Sequence, residues 1–200
     1  MKPQQKKILT TAVKIFSKKG FHQATMDEIA QAANVAKGTL YYNYASKSDL
    51  FRAAVTDGVD VIIGQIRDAL SLDLPFHQHL RKLVAQNIAL YLKYSDLTRI
   101  VFNELTSGID DRVLKEIATV RERYLGFIAD QLALGQAQGY IRPVDLRLAA
   151  VGVVGLVEHL CAYHLNNRRQ FPRKQIEELV YTLLVDGLCI DKRSESQATQ

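Results

Sequence analysis

Lys37, Thr39, Tyr41 and Tyr42 stand close together in the run KGTLYYN, where helical spacing puts them on or near one outer surface. An ammonium, a hydroxyl and two phenols so arranged suit hydrogen bonding to a polar, anionic surface such as base edges and phosphates. Upstream, Thr25 followed three positions later by Glu28 is a capping-box start, and Ile29, Ala30 and Ala33 recur at helical spacing behind it. Asn34-Val35-Ala36 makes a turn, with Asn34 where a left-handed residue is usually needed. Two helices joined so tightly form a helix-turn-helix, whose second helix reads the major groove of DNA.

Charge supports that reading. Residues 1–50 hold eight lysines, no arginine and three acidic residues, a net of +5, which equals the excess of the whole chain. A polyanion partner explains the placement, because lysines that neutralise phosphates release counterions. Without arginine the bidentate Arg–guanine contact is unavailable there, which leaves Lys37 as the recognition helix's cation for a guanine.

Other chemistries are poorly served. Cys161 and Cys189 make neither a disulfide framework nor a metal cluster, and the five histidines fall into no metal-ligand motif. Asp110-Asp111 opens a helix after Gly108, so capping explains the pair better than metal binding. No metal and no cofactor is expected. An all-helical enzyme is the rival of a different class, and nothing resembling a nucleophile–base set or a phosphate loop supports it. The basic N-terminus lacks the continuous apolar core of a secretion signal, and the longest apolar run, residues 148–157, is short for a membrane span. A reducing cytoplasm is therefore expected, with no membrane partner.

Apolar spacing is helical nearly everywhere, which predicts an all-α chain of about nine helices. A three-helix helix-turn-helix domain over residues 1–46 is followed by a helical ligand-binding and dimerisation domain over 47–190 and a polar tail over 191–200. The first helix is expected over 4–19, ended by Gly20. Ser46 is expected to cap a long helix carrying Gly58 and Gly64, either close-packing points or places where the helix gives. Pro143 is expected to open the next-to-last helix, and Pro172 the last.

With those elements laid out, Ile15 to Phe51, IFSKKGFHQATMDEIAQAANVAKGTLYYNYASKSDLF, resembles the DNA-binding domain of the TetR (tetracycline-repressor) family of transcriptional regulators. The aromatic-Lys-Gly-aromatic entry, the Thr-capped helix, KGTLYY and the closing SK before LF carry the likeness. The resemblance implies DNA contacts from Thr25, Lys37, Gly38, Thr39, Tyr41 and Tyr42, with Lys47 holding a phosphate on the flank. Where the family generally has Gly, Ser and His-Phe, this chain has Asn34, Ala36 and Asn43-Tyr44. Ala36 cannot cap the recognition helix with its side chain, and Asn43 is free to bond the DNA backbone.

The resemblance further implies a homodimer on a double-stranded, palindromic operator, acting as a repressor released by a small-molecule inducer. The alternative within the same fold is a ligand-independent DNA-binding protein that recruits a protein partner. Residues 148–157 are apolar around the whole helix circumference and need cover on two sides. One stripe, Ala150, Val153, Val157 and Cys161, is assigned with Ile176, Val180 and Leu183 to the dimer interface. The other, Leu156, His159 and Tyr163, is assigned with Phe102, Tyr124 and Phe127 to an inducer pocket; Arg99, Glu104, Glu158 and His164 are candidates for orienting a polar ligand.

Overall fold

The computed structural model describes residues 2–70, 74–102, 111–167 and 171–190, without the side chain of Phe102. Among them lie α1 (Pro3–Gln23), α2 (Met26–Ala32), α3 (Lys37–Asn43), α4 (Lys47–Ala69), α5 (Phe76–Lys93), α6 (Ser95–Phe102), α7 (Asp111–Ala137), α8 (Leu146–Asn166) and α9 (Arg173–Leu188). The expected all-α architecture forms. Packing divides the chain into two compact units, Met1–Gly64 with Lys93–Arg123, and Gln65–Leu92 with Tyr124–Gln200. These packing units cut the chain elsewhere than at residue 46, since α4 as far as Gly64, α6 and the first part of α7 fall with the N-terminal helices.

In the first unit, α1 buries Ile8, Leu9, Ala12 and Phe16 and packs on α6. Gly20 takes φ 75°, a conformation that costs glycine little, and breaks the helical path there. The chain beyond it brings Phe21 to Phe51, edge to face at 5.2 Å, while Phe16 meets the same ring at 5.0 Å. Such ring pairs contribute about 0.5–1.5 kcal/mol beyond their area. Ser46 caps α4 as its spacing predicts: its Oγ accepts from the Asp49 N–H at 3.0 Å and donates to the Asp49 carboxylate at 2.8 Å. Of the two glycines of α4, Gly58 is a close-packing point, since a Cβ there would stand 2.5 Å from a Leu97 methyl. Gly64 has nothing within 4 Å of that position.

The second unit is built from α5, the later part of α7, α8 and α9. Its core takes Phe76, Leu80, Leu83 and Ile88 from α5, Ile128 and Leu132 from α7, Val153 and Val157 from α8, and Val180 and Leu184 from α9. Asp145, not Pro143, starts α8: its carboxylate accepts from the Arg147 and Leu148 N–H groups at 2.8 and 2.9 Å. A carboxylate that satisfies two free N–H groups outweighs proline's preference for a first turn. Pro172 does flank α9. Between α7 and α8 the chain clasps its own far end in a single antiparallel bridge, Ile141–Cys189. The Arg142 N–H donates to Leu188 O at 3.0 Å, the Ile190 N–H donates to Tyr140 O at 2.8 Å, and the Arg142 guanidinium reaches Cys189 O at 3.0 Å.

Burial reverses the two stripes assigned to α8. Ala150, Val153, Val157 and Cys161 are buried within the chain, as are Ile176 and Val180 of α9. Six of the seven residues assigned to a dimer interface are thus core, and Leu183 alone is exposed. Of the stripe assigned to the interior, His159 and Tyr163, the latter 53 % exposed, face out, and Leu156 is half-buried. A helix apolar all round gives no phase signal, so spacing could not tell the two faces apart. By length and composition α8 is also long and apolar enough to cross a membrane, which its uninterrupted apolar run understated.

Candidate nucleic-acid interface

The turn between α2 and α3 rests on main-chain bonds. Asn34 takes φ 53°, and its N–H donates to Gln31 O at 3.0 Å while the Val35 N–H donates to Ala30 O at 3.0 Å. Asparagine tolerates this left-handed conformation better than most side chains. The Thr25 hydroxyl accepts from the Glu28 N–H at 3.2 Å, which leaves its own proton to donate outward. Ala36 flanks α3 without a side-chain bond, as its methyl requires.

On α3 the anchoring is from within. Leu40 is fully buried, and half-buried Tyr44 has its phenol pushed up by that burial, helped by the Asp57 carboxylate. Those two hold the helix and leave Tyr42, 91 % exposed, and Tyr41, 42 % exposed, on the outer surface with Lys37. Thr39 is half-buried. A Cβ on Gly38 would meet nothing within 4 Å, so the fold itself does not demand glycine there. A surface that must approach another molecule closely is a reason from outside the fold.

Three placements differ from the sequence expectations. Lys47 is turned inward: its Nζ donates to His22 O and to Ala24 O, both at 3.0 Å, and stands 4.7 Å from the centre of the Phe21 ring. It satisfies carbonyls left open where α1 ends, a demand spacing could not reveal because the acceptors lie more than twenty residues upstream. Asn43 is also engaged internally, donating to Thr39 O at 2.7 Å and accepting from Gln5 at 3.4 Å. Lys37 is exposed but held, its Nζ 2.8 Å from both carboxylate oxygens of Asp27, a hydrogen bond that pushes its pKa up. Glu28 is likewise matched by Lys19 at 2.7 Å. Asp27 was absent from the expected site; its place ten residues before Lys37, across a helix-turn-helix, was the available signal.

The residues assigned to an inducer pocket do not all face the interior. Phe127 is buried with Arg67 over its ring, Leu156 is half-buried, and His159 and Tyr163 face outward. The Phe102 side chain and Glu104 lie outside the described residues. Tyr124 is half-buried, its hydroxyl donates to the Asn87 side chain, and burial raises its pKa well above the ordinary phenol range. Asn87 in turn donates to Leu83 O at 2.8 Å. Burial pushes the Cys161 thiol up to about 12. Two further polar atoms of this unit, His79 Nε2 and His164 Nδ1, are buried without a hydrogen-bond partner. Among the described residues no group of three or more His, Cys, Asp or Glu is arranged to hold a metal.

Two family models match the chain, Bacterial regulatory proteins, tetR family, over residues 8–54, and Tetracyclin repressor-like, C-terminal domain, over residues 73–163. The HTH-type transcriptional regulator YhgD of Bacillus subtilis is 28 % identical over 186 residues, which is 92 % of this chain and 96 % of that protein. The fatty acid degradation regulator FadR of Bacillus halodurans superposes with a TM-score of 0.81 at 23 % identity, covering 94 % and 97 % of the two chains. FadR of Bacillus subtilis, solved with stearoyl-CoA, gives 0.77 at 21 % identity over 91 % and 98 %. With both parts of its length accounted for in this way, the chain belongs to the TetR family, and it is a DNA-binding transcriptional regulator rather than an enzyme.

Proposed function

We propose that the protein is a cytoplasmic homodimeric repressor that leaves a palindromic operator when a long-chain acyl-CoA binds its second unit. The observation that carries the dimer is the uncovered apolar face of α8 and α9, where Leu148, Val151, Tyr163, Leu179 and Leu183 are all exposed. A contiguous apolar face of this kind marks an interaction surface, and a two-fold pair would bury it against itself. Two recognition helices would then reach major grooves about 34–36 Å apart, one turn of DNA.

For the ligand, the support is the buried polar set in an otherwise apolar second unit. Tyr124 and Asn87 bond each other, and His79 Nε2 and His164 Nδ1 are buried with bonding capacity left over. Polar atoms left in this way are costly unless something else completes them. The stearoyl-CoA held by the Bacillus subtilis FadR supplies the ligand class, an acyl chain carried on a polar thioester. The ligand acts by preferring the state that fits DNA less well. α4 begins in the unit that holds the reading head and ends in the other, so its sequence takes part in both.

The test is selection of bound DNA from a random pool, then operator affinity measured with stearoyl-CoA, free CoA or neither. A palindrome with half-sites one turn apart, and affinity falling about tenfold with stearoyl-CoA alone, is the expected result. An operator affinity indifferent to stearoyl-CoA refutes the assigned ligand, and a single non-repeated site refutes the dimeric reader.

A further inference from the structure

The first unit contains a cleft of about 250 Å³ bounded by three helical stripes. α1 offers Lys6, Leu9, Val13 and Lys14; α4 offers Ala54, Asp57, Gly58 and Val61; the end of α5 and the start of α6 offer Lys93, Tyr94 and Leu97. Each stripe follows the spacing that puts residues three and four apart on one helix face. Leu9, Ala54 and Leu97 make a buried floor, and Gly58 lets Leu97 lie flat against α4. Apolar side chains thus form the floor and charge is confined to the rim.

The rim has a definite sign. Lys6, Lys14 and Lys93 stand against Asp57 and Asp96, and Asp96 already accepts from the Ser17 hydroxyl at 3.2 Å. Among the described residues none of the three lysines has a carboxylate within the 4 Å of an ion pair, so their charge is not cancelled locally. The Lys93 ammonium stands 5.0 Å from the centre of the Tyr94 ring, which holds it at the cleft. An apolar floor under unpaired ammonium groups matches a short apolar tail that ends in an anion. The volume is slightly below the usual range for a drug-sized ligand, which favours a small one.

We propose that this cleft is a binding site for a small amphiphilic carboxylate, separate from any inducer site in the second unit. The tail lies over Leu9, Val13 and Leu97, and the carboxylate meets Lys6, Lys14 or Lys93. Its occupant braces α1 against α4 and α6 within the unit that carries the reading head.

Octanoate is the probe, with octylammonium as its charge-reversed partner, titrated into the full chain by calorimetry and by methyl-detected NMR. Saturable octanoate binding, about tenfold weaker for octylammonium, and shifts of the Leu9, Val13 and Leu97 methyls are expected. Val61→Glu, at an exposed position on the rim, sets a carboxylate in the cleft and is expected to weaken octanoate about tenfold while its thermal midpoint is unchanged. Equal binding of the two probes overturns the proposal. So does octanoate binding that survives Val61→Glu or leaves those three methyl signals unmoved, since that binding lies elsewhere. If Val61→Glu fails to fold, the wild-type methyl shifts decide alone.

Discussion

Lys47→Met separates a lysine that holds the fold from one that holds a phosphate. The substitution keeps the stem and removes the ammonium, which donates to His22 O and Ala24 O and stands over Phe21. Each charge-assisted bond to a carbonyl in this half-exposed setting contributes about 0.5–1 kcal/mol, below the range for a fully buried one. The favourable charge at a helix C-terminus adds about 0.3–1 kcal/mol, and the ring contact about 0.5–1 kcal/mol. Releasing the side chain returns about 1 kcal/mol of rotamer entropy. The net loss is about 1–3 kcal/mol, which in a chain of this size lowers the thermal midpoint by roughly 2–12 °C. The assay pairs thermal unfolding with DNA affinity measured across salt concentrations. A phosphate contact would instead lower the salt slope by about 0.9 for each copy of Lys47 on the DNA. An unchanged midpoint with a shallower slope would refute the structural role.

Three further outcomes follow from the same geometry. Asp27→Asn releases Lys37, so binding to random DNA should tighten several-fold and depend more steeply on salt, whereas Lys37→Ala should relax base preference; selection from a DNA pool and salt titration read both. Cys161 is fully buried with its thiol pushed up to about 12, so at pH 8 it remains protonated and should resist iodoacetamide until denaturant is added, as mass spectrometry would show. Val151→Glu and Val153→Glu lie two residues apart but on opposite faces of α8. The first should yield folded monomers in sedimentation, and the second, which buries an unpaired carboxylate, should lower stability by several kcal/mol; the same phenotype from both would refute the face assignment.

What the sequence made legible was whatever local chemistry dictates. Thr25 with Glu28, Asn34 and Ser46 with Asp49 each mark a helix end through local chemistry, and each end formed there, whereas Gly20, expected to end the first helix at residue 19, instead kinks α1, which resumes to Gln23. Buried Leu40 fixed which side of α3 faces out. Long-range partners were invisible by the same logic. Nothing near Lys47 in the chain announces the carbonyls of α1, and nothing near Tyr124 announces Asn87. The α8 register failed for a different reason: with valine, leucine and glycine on every side, the apolar pattern has no phase to read. Only the neighbours of α8 in space select Val153 and Val157 for the core and leave Leu148 and Val151 outside.

The bridge at Ile141–Cys189 bears on how the end of the chain opens. A helix ordinarily frays first from an end that nothing else holds. Here the chain leaves the bridge, runs through α8 and α9 and returns to the same point, so the two helices form a ring closed by hydrogen bonds. α9 cannot peel away by one turn at a time without first opening that ring. The amide hydrogens of Arg142 and Ile190 lie outside every helix, yet they should exchange with solvent as slowly as those of the α8 core. Loss of their protection should coincide with loss of protection in both helices, so the bridge, α8 and α9 open as one cooperative element.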